Sequence, residues 1–259
     1  MVKWQGGRIV IQKSKYSMAK YTSYGKKRTR AGRFVIVVPH GAGDDLKSGV
    51  IGVRLAKALK GSYIINNQYK KLKNRQIKNP DLVEDFNHLK WSFVKKRFLW
   101  KSKKPAMKEF YLDIAQICDR IKENTGEKAV VVYIHSMQND KVGLDLGTGL
   151  RPQGSRLFGS GYHIKTGFNT GEVTTKINQA KKLLREFKRE LKRDFNLGVT
   201  AGESFSGWSK WSGIQFHKHQ GRNDYAVQIE VNEFLRSNET MINYTVELIA
   251  RSLERVFMK

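Results

Sequence analysis

Cysteine is nearly absent. Cys118 is the one cysteine in 259 residues, which excludes a disulfide framework and a Cys-rich zinc module. Proline is scarce as well, with four in the chain, and no Pro-, Gly- or Ser-rich linker divides it, so one compact domain is expected. No apolar run approaches the roughly 18 residues of a membrane span, and no apolar stretch follows the first Met. The expectation is a soluble, cytoplasmic protein that does not engage a membrane. Acids are missing from one region altogether: residues 1–33 hold ten Lys/Arg and no Asp or Glu. This segment reads as a basic N-terminal arm, and 34–259 as the domain.

What is present is base and core. Hydrophobic residues make up 39%, too much for a disordered chain. Lys+Arg outnumber Asp+Glu by 49 to 23, giving +26 overall, of which +16 persists outside the arm. Such a field attracts polyanions, whether nucleic acid, anionic lipid or a polyacidic substrate, without choosing among them.

Periodicity predicts strands alternating with helices. Phe34–Val38 is an all-apolar run closed by Pro39, which suits a buried central strand. A helix is predicted over 50–60, a strand over 62–65, and an amphipathic helix over 109–123 that stops near Gly126. A strand follows over 129–134 and a helix over 176–194. Tyr225–Val231 alternates cleanly, and Ile242, Val246, Ile249, Leu253 and Val256 mark a closing helix. Arg8–Gln12 has the pattern of an edge strand. The class is α/β, a mostly parallel mixed sheet flanked by helices.

Two histidines stand where strands end. His40 follows the first strand by two residues, and His135 follows the third directly. Functional groups of open α/β sheets collect at the carboxyl edge of the strands. Asp44 and Asp45 lie close to His40, and Gly41 and Gly43 let the backbone turn tightly between them. Two His and one carboxylate form a hydrolytic zinc set with a position open for water; the alternative is a pair of loop histidines satisfied by the backbone. Glu230 sits mid-strand on the polar face of Tyr225–Val231. It is either a general base held beside a metal or a Glu facing solvent at the sheet margin.

Four stretches, in this order, resemble the N-formylglutamate amidohydrolase family, which belongs with the zinc carboxypeptidase-like hydrolases: Val38-Pro-His-Gly-Ala-Gly43, Asp85-Phe-Asn-His88, Ile134-His-Ser-Met137, and His219-Gln-Gly-Arg222 followed by Val227-Gln-Ile-Glu-Val-Asn232. Ile134-His-Ser-Met137 is the most specific of them. The likeness spans about 35–236. It implies a three-layer carboxypeptidase-like architecture and one zinc ion (Zn2+) held by His40, His135 and an acid of the Asp44/Asp45 pair, with the nearer, Asp44, favoured. It implies Glu230 as general base and proton shuttle, and Arg222 as stabiliser of the oxyanion or holder of a substrate carboxylate. Asn87 and Asn232 become hydrogen-bonding residues around the substrate. His88 stands where the family has Arg, so His88, or else Arg54, Arg75 or Arg151, would meet the substrate there. The implied reaction is hydrolysis of an amide in a small acidic N-acyl amino acid or acidic peptide, without a Ser or Cys nucleophile. His219 is expected to border the site.

Charge adds two further readings. Phe86 to Lys108 holds eight Lys/Arg and no acid, interleaved with Trp91, Phe93, Phe98 and Trp100. Basic residues among aromatics can bind single-stranded nucleic acid, and the basic arm could contact a polyanion. The favoured alternative is that the aromatics pack inward and the lysines are solvated. A cleft rimmed by lysines would instead draw in polyacidic chains such as poly-γ-glutamate.

Overall fold

In the computed structural model of the chain, the apolar run Phe34–Val38 lies inside a seven-stranded sheet. Described are residues 2–5, 8–11, 22–24, 32–43, 45–71, 80–92, 94–95, 97–152, 162–163, 173–203, 205–209, 211–219 and 222–258, with backbone alone at 2–5, 8–11, 22–24, 80, 151–152 and 162–163. The strands are β1 (Thr22–Tyr24), β2 (Phe34–Val38), β3 (Ser62–Asn66), β4 (Val130–Ser136), β5 (Val142–Gly147), β6 (Gly198–Thr200) and β7 (Tyr225–Val231). Their order across the sheet is β6-β5-β7-β4-β2-β3-β1. The inner four, β7, β4, β2 and β3, are mutually parallel, while β5 runs antiparallel to β7 and β1 antiparallel to β3.

Helices α1 (Ser48–Ala58), α2 (Pro105–Thr125), α3 (Ile177–Asp194) and α4 (Glu239–Phe257) complete three layers. Alternation decides which strand residues meet which helices. Ile36, Val38, Val132, Ile134, Val227 and Ile229 pack with α1, α3 and α4. Val35, Val37, Val131, Tyr133 and Ala226 face the other way, onto α2 and the segments around Phe86 and Phe216. α2 begins at Pro105, whose fixed φ suits the first helical position. It ends at Gly126, whose φ of 71° lets its N–H close on Lys122 O. Asn238 caps α4 by accepting from Met241 N.

Where the structure departs from the sequence pattern, backbone pairing is the cause. Strand β4 continues through His135 and Ser136 because Glu230 and Val231 of β7 pair with them, so His135 is in the strand and not after it. Strands β5 and β6 carry two glycines and one, and neither is predicted by the sequence pattern; β5 pairs with β7 in continuous register, and β6 pairs with β5 across a register shift at Gly198/Val199. Arg8–Ile11 pairs with Val2–Gln5 in a separate ribbon, and the sheet edge belongs to Thr22–Tyr24. Trp91 and Phe98 are buried, at 8% and 2% exposed, packing edge to face; Phe93 lies outside the described residues. Among the described residues no helix is long and apolar enough to cross a membrane.

Gly52, inside α1, tests this packing. A Cβ there would sit 2.5 Å from Val38 Cγ2, in a strand that cannot retreat. Helix propensity alone favours alanine by about 1 kcal/mol, and overpacking costs about 1–3 kcal/mol. Gly52→Ala is therefore expected to lower the unfolding midpoint, read by thermal or urea denaturation.

Candidate metal centre and its cleft

After β2 the chain turns through Pro39–Gly43, with Gly43 at a φ of 100° that a side chain would strain. Asp45 N–H donates back to His40 O at 3.3 Å, and Ser48 Oγ donates to Asp45 O at 2.7 Å. This closed loop aims the Asp45 carboxylate under the end of the sheet. Asp45 Oδ2 lies 3.1 Å from His40 Nδ1 and 2.8 Å from His135 Nδ1, and the two ring nitrogens are 3.2 Å apart. All three side chains are buried, with ligand atoms within 4.8 Å of one another. Asp45 Oδ1 accepts from Lys71 Nζ at 3.1 Å.

The acid between the imidazoles is thus Asp45, and the expectation for Asp44 falls on a residue outside the described ones. Counting residues favours the nearer acid; the His40–Asp45 backbone hydrogen bond sets the Asp45 carboxylate between the rings.

His40 Nε2 lies 2.9 Å from Asp85 Oδ1, which also accepts from Asn87 N at 2.9 Å. A carboxylate on the far nitrogen fixes an imidazole's orientation toward a metal. Asp85 was not singled out from the sequence as a site residue, although it opens the Asp85-Phe-Asn-His88 stretch. Glu230 pairs in register with His135 on one side and with Asp145 on the other, so the three form one row across β4, β7 and β5. Glu230 is 2% exposed, which overturns a solvent-facing role. Its Oε1 accepts from Gln228 Nε2 at 2.7 Å.

Asp145 is a second residue the sequence reading missed. Buried in β5, it accepts from Thr200 Oγ1 at 2.8 Å, Phe205 N at 3.1 Å and Glu203 N at 3.2 Å, tying down the 200–206 turn. The signal was an acid between two leucines in Gly143-Leu-Asp-Leu-Gly147.

Charge follows geometry. Burial disfavours the charged His40 ring, but the hydrogen bonds and charges of Asp45 and Asp85 outweigh it and push its pKa up to about 9. Burial opposes the Asp45 charge too, yet His135 and His40 hold that carboxyl far below the usual range. Burial leaves His135 below the ordinary histidine value. It also raises Glu230 well above the carboxylate range, aided by the Asp45 charge. The pocket thus favours one positive charge between Asp45 and Asp85, and a divalent cation would compete with that proton.

Asn87 and His88 line a cleft of about 310 Å³ together with Glu203, Trp208, Trp211 and Gln228. Arg222 does not reach it. Arg222 pairs with Asp224 at 2.8 Å and Asp119 at 3.0 Å, before the first residue of β7. The five residue steps from Tyr225 to Glu230 separate it from the centre by about 16 Å of strand. The oxyanion and substrate-carboxylate roles expected of Arg222 are therefore not available to it. Asn232 turns away as well, with Oδ1 accepting from Leu235 N at 2.9 Å and Nδ2 donating to Asn139 O at 3.3 Å, so it shapes the chain after β7. Arg54 pairs with Asn243 and Glu239 on α4. Arg75 lies outside the described residues, and Arg151 is described in backbone only. His219 packs against Trp91 and Phe98.

Solved structures similar to this chain include a bacteriophage poly-γ-glutamate hydrolase, 10% identical, covering 93% of this chain and 92% of its own at a TM-score of 0.51. The Agrobacterium tumefaciens gene product Atu2144 is 13% identical over 92% of this chain and 95% of its own, with a TM-score of 0.50. What is shared is the fold. No protein-family profile and no curated protein matches the sequence.

A second buried group, Cys118, His217 and Asp224, also gathers ligand atoms within 4.8 Å. There the Arg222 guanidinium lies against Asp224 and already supplies the positive charge.

Two outcomes follow. Asp85→Ala is expected to weaken metal binding about 10–100-fold, the usual effect of removing such a partner, measured by competition with a chromogenic chelator. In chelated protein, raising the pH past the ordinary carboxylate pKa charges Glu230 in the unfolded chain first. The folded state then holds the extra proton and loses stability as pH rises. Glu230→Gln should accordingly raise the melting temperature of chelated protein more at pH 8 than at pH 5.

Proposed function

We propose that this chain is a zinc-dependent hydrolase that cleaves an amide bond, with the ion held by His40 Nδ1, Asp45 Oδ2 and His135 Nδ1. The observation that carries the reading is the convergence of these three atoms at the carboxyl end of the parallel strands, with Glu230 beside them in register. Two imidazoles and a carboxylate are a hydrolytic zinc donor set, and Asp85 supports His40 as such sites require. When bound, zinc supplies a Lewis acid that polarises the amide carbonyl and acidifies water.

Glu230 handles the proton. Gln228 fixes Oε1, leaving Oε2 to accept a proton from the attacking water. The water oxygen adds to the carbonyl carbon, the C–N bond breaks, and Glu230 returns the proton to the departing nitrogen. A carboxyl raised by burial suits both transfers. Cys118 is not a nucleophile here, since burial raises its thiol well above its ordinary value, and Ser136 lies in no Gly-x-Ser-x-Gly elbow.

The N-formylglutamate amidohydrolase resemblance and the net charge of +26 favour an acidic N-acyl amino acid or acidic peptide as substrate. The activity in the name of the phage hydrolase agrees with that choice, and Lys71 at 3.1 Å from Asp45 brings a cation to the centre. The competing reading, nucleic-acid binding on a hydrolase scaffold, loses Trp91 and Phe98 as stacking platforms because both are buried.

Elemental analysis tests the centre. Wild type is expected to carry about one zinc per chain and His135→Ala none, the ligand set being complete only with both imidazoles. Glu230→Gln should retain zinc and lower kcat on γ-glutamyl amides by about 10²–10⁴. Wild type that takes up no metal after incubation with zinc would sink the reading.

A further inference from the structure

The cleft beside the centre has a chemistry that the hydrolytic machinery does not use. Gln228 is 1% exposed. Its amide nitrogen is engaged by Glu230, and the oxygen, Oε1, is buried without a hydrogen-bond partner. Asn87 Oδ1, on the same cleft, is a second buried acceptor without a partner, and Trp211 Nε1 is a buried donor without one. Buried polar atoms left unpaired are costly, and in a cleft they mark where a ligand's own polar atoms belong. The walls between them are the half-buried rings of Trp208 and Trp211, with the Glu203 carboxylate at the rim.

This pattern discriminates among ligands. A carboxylate only accepts hydrogen bonds, so it cannot satisfy Gln228 Oε1 or Asn87 Oδ1. An ammonium only donates, so it leaves the Trp211 N–H unpaired, and a chain of net charge +26 repels it. A hydroxyl does both, and an N-acyl group pairs one N–H with one C=O. Ring C–H edges of a pyranose would lie on the indole faces.

The geometry points to a saccharide subsite in this cleft, with the sugar, through its hydroxyl and N-acyl groups, satisfying Gln228, Asn87 and Trp211. It deepens the amide-hydrolase reading and rests on it only for the scissile bond. Gln228 also holds the Glu230 carboxylate, and Asn87 lies two residues from Asp85, so a sugar seated here brings an attached amide to His40 and His135. The substrate then has two halves: an acidic part near Lys71 and a neutral, hydroxyl-bearing part in the cleft.

The probe is the N-acetylglucosamine tetramer, titrated into the full chain by calorimetry and by tryptophan emission, first after chelation and then with zinc restored. Saturable binding in both states is expected. Trp208→Ala should weaken it about tenfold by removing a ring face, and Trp208→Phe should recover most of the loss. Gln228→Leu, which leaves both indoles in place, should weaken it as well. Melting curves establish that each variant is folded. Absence of saturable binding overturns the proposal, as does binding that Trp208→Ala and Gln228→Leu both leave intact. Trp208-dependent binding of lysine amide or poly-γ-glutamate in place of the tetramer also overturns it. The titration needs no metal, so failure of the hydrolase reading, seen in zinc content and amide cleavage, is distinguishable from failure here.

Discussion

One carboxylate oxygen, Asp45 Oδ2, ties together segments that nothing in the local chain would join. It lies within hydrogen-bonding distance of an imidazole from the loop after β2 and another from β4. Burying that charge without partners would be costly, and the two imidazoles beside it offset that cost. Breaking such a buried set by removing one partner is more damaging than never having built it. The three side chains thus stabilise one another at the edge of the parallel strands, and they form a group that could hold a metal ion.

Around it, polar side chains fix backbone where hydrophobic packing cannot. Asp85 holds His40 from behind and turns its own loop through Asn87 N. Asp145 takes three donors from the 200–206 turn, which forms one side of the cleft. Arg236, buried, donates to Leu46 O, Val231 O and Met137 O, joining the Asp45 loop to the ends of β7 and β4. These contacts surround the two histidines and Glu230 with a rigid frame.

At the amino end of the sheet a separate buried network serves packing. Asp224 lies between Arg222 and His217 Nδ1, and His217 Nε2 meets Tyr133 OH at 3.0 Å. Burial keeps the His217 ring below the ordinary histidine value. The network links α2 to the start of β7 at the end of the sheet opposite Glu230.

The residue pattern alone determined the α/β class, the positions of β2, β4, β7 and the four helices, and the candidacy of His40, His135 and Glu230. Apolar alternation and strand-end position are written locally, so each was legible. That Asp45 lies between the imidazoles was not, because a backbone hydrogen bond closes its loop. Nor were the exclusion of Arg222 and Asn232, the support from Asp85, or the Asp145–Glu230–His135 row. Motif spacing places residues along a strand but does not say at which end a loop lies. Strands β5 and β6, short and glycine-bearing, exist through pairing with neighbours distant in sequence. Register, handed out by those long-range pairs, is the quantity that only the tertiary structure could supply.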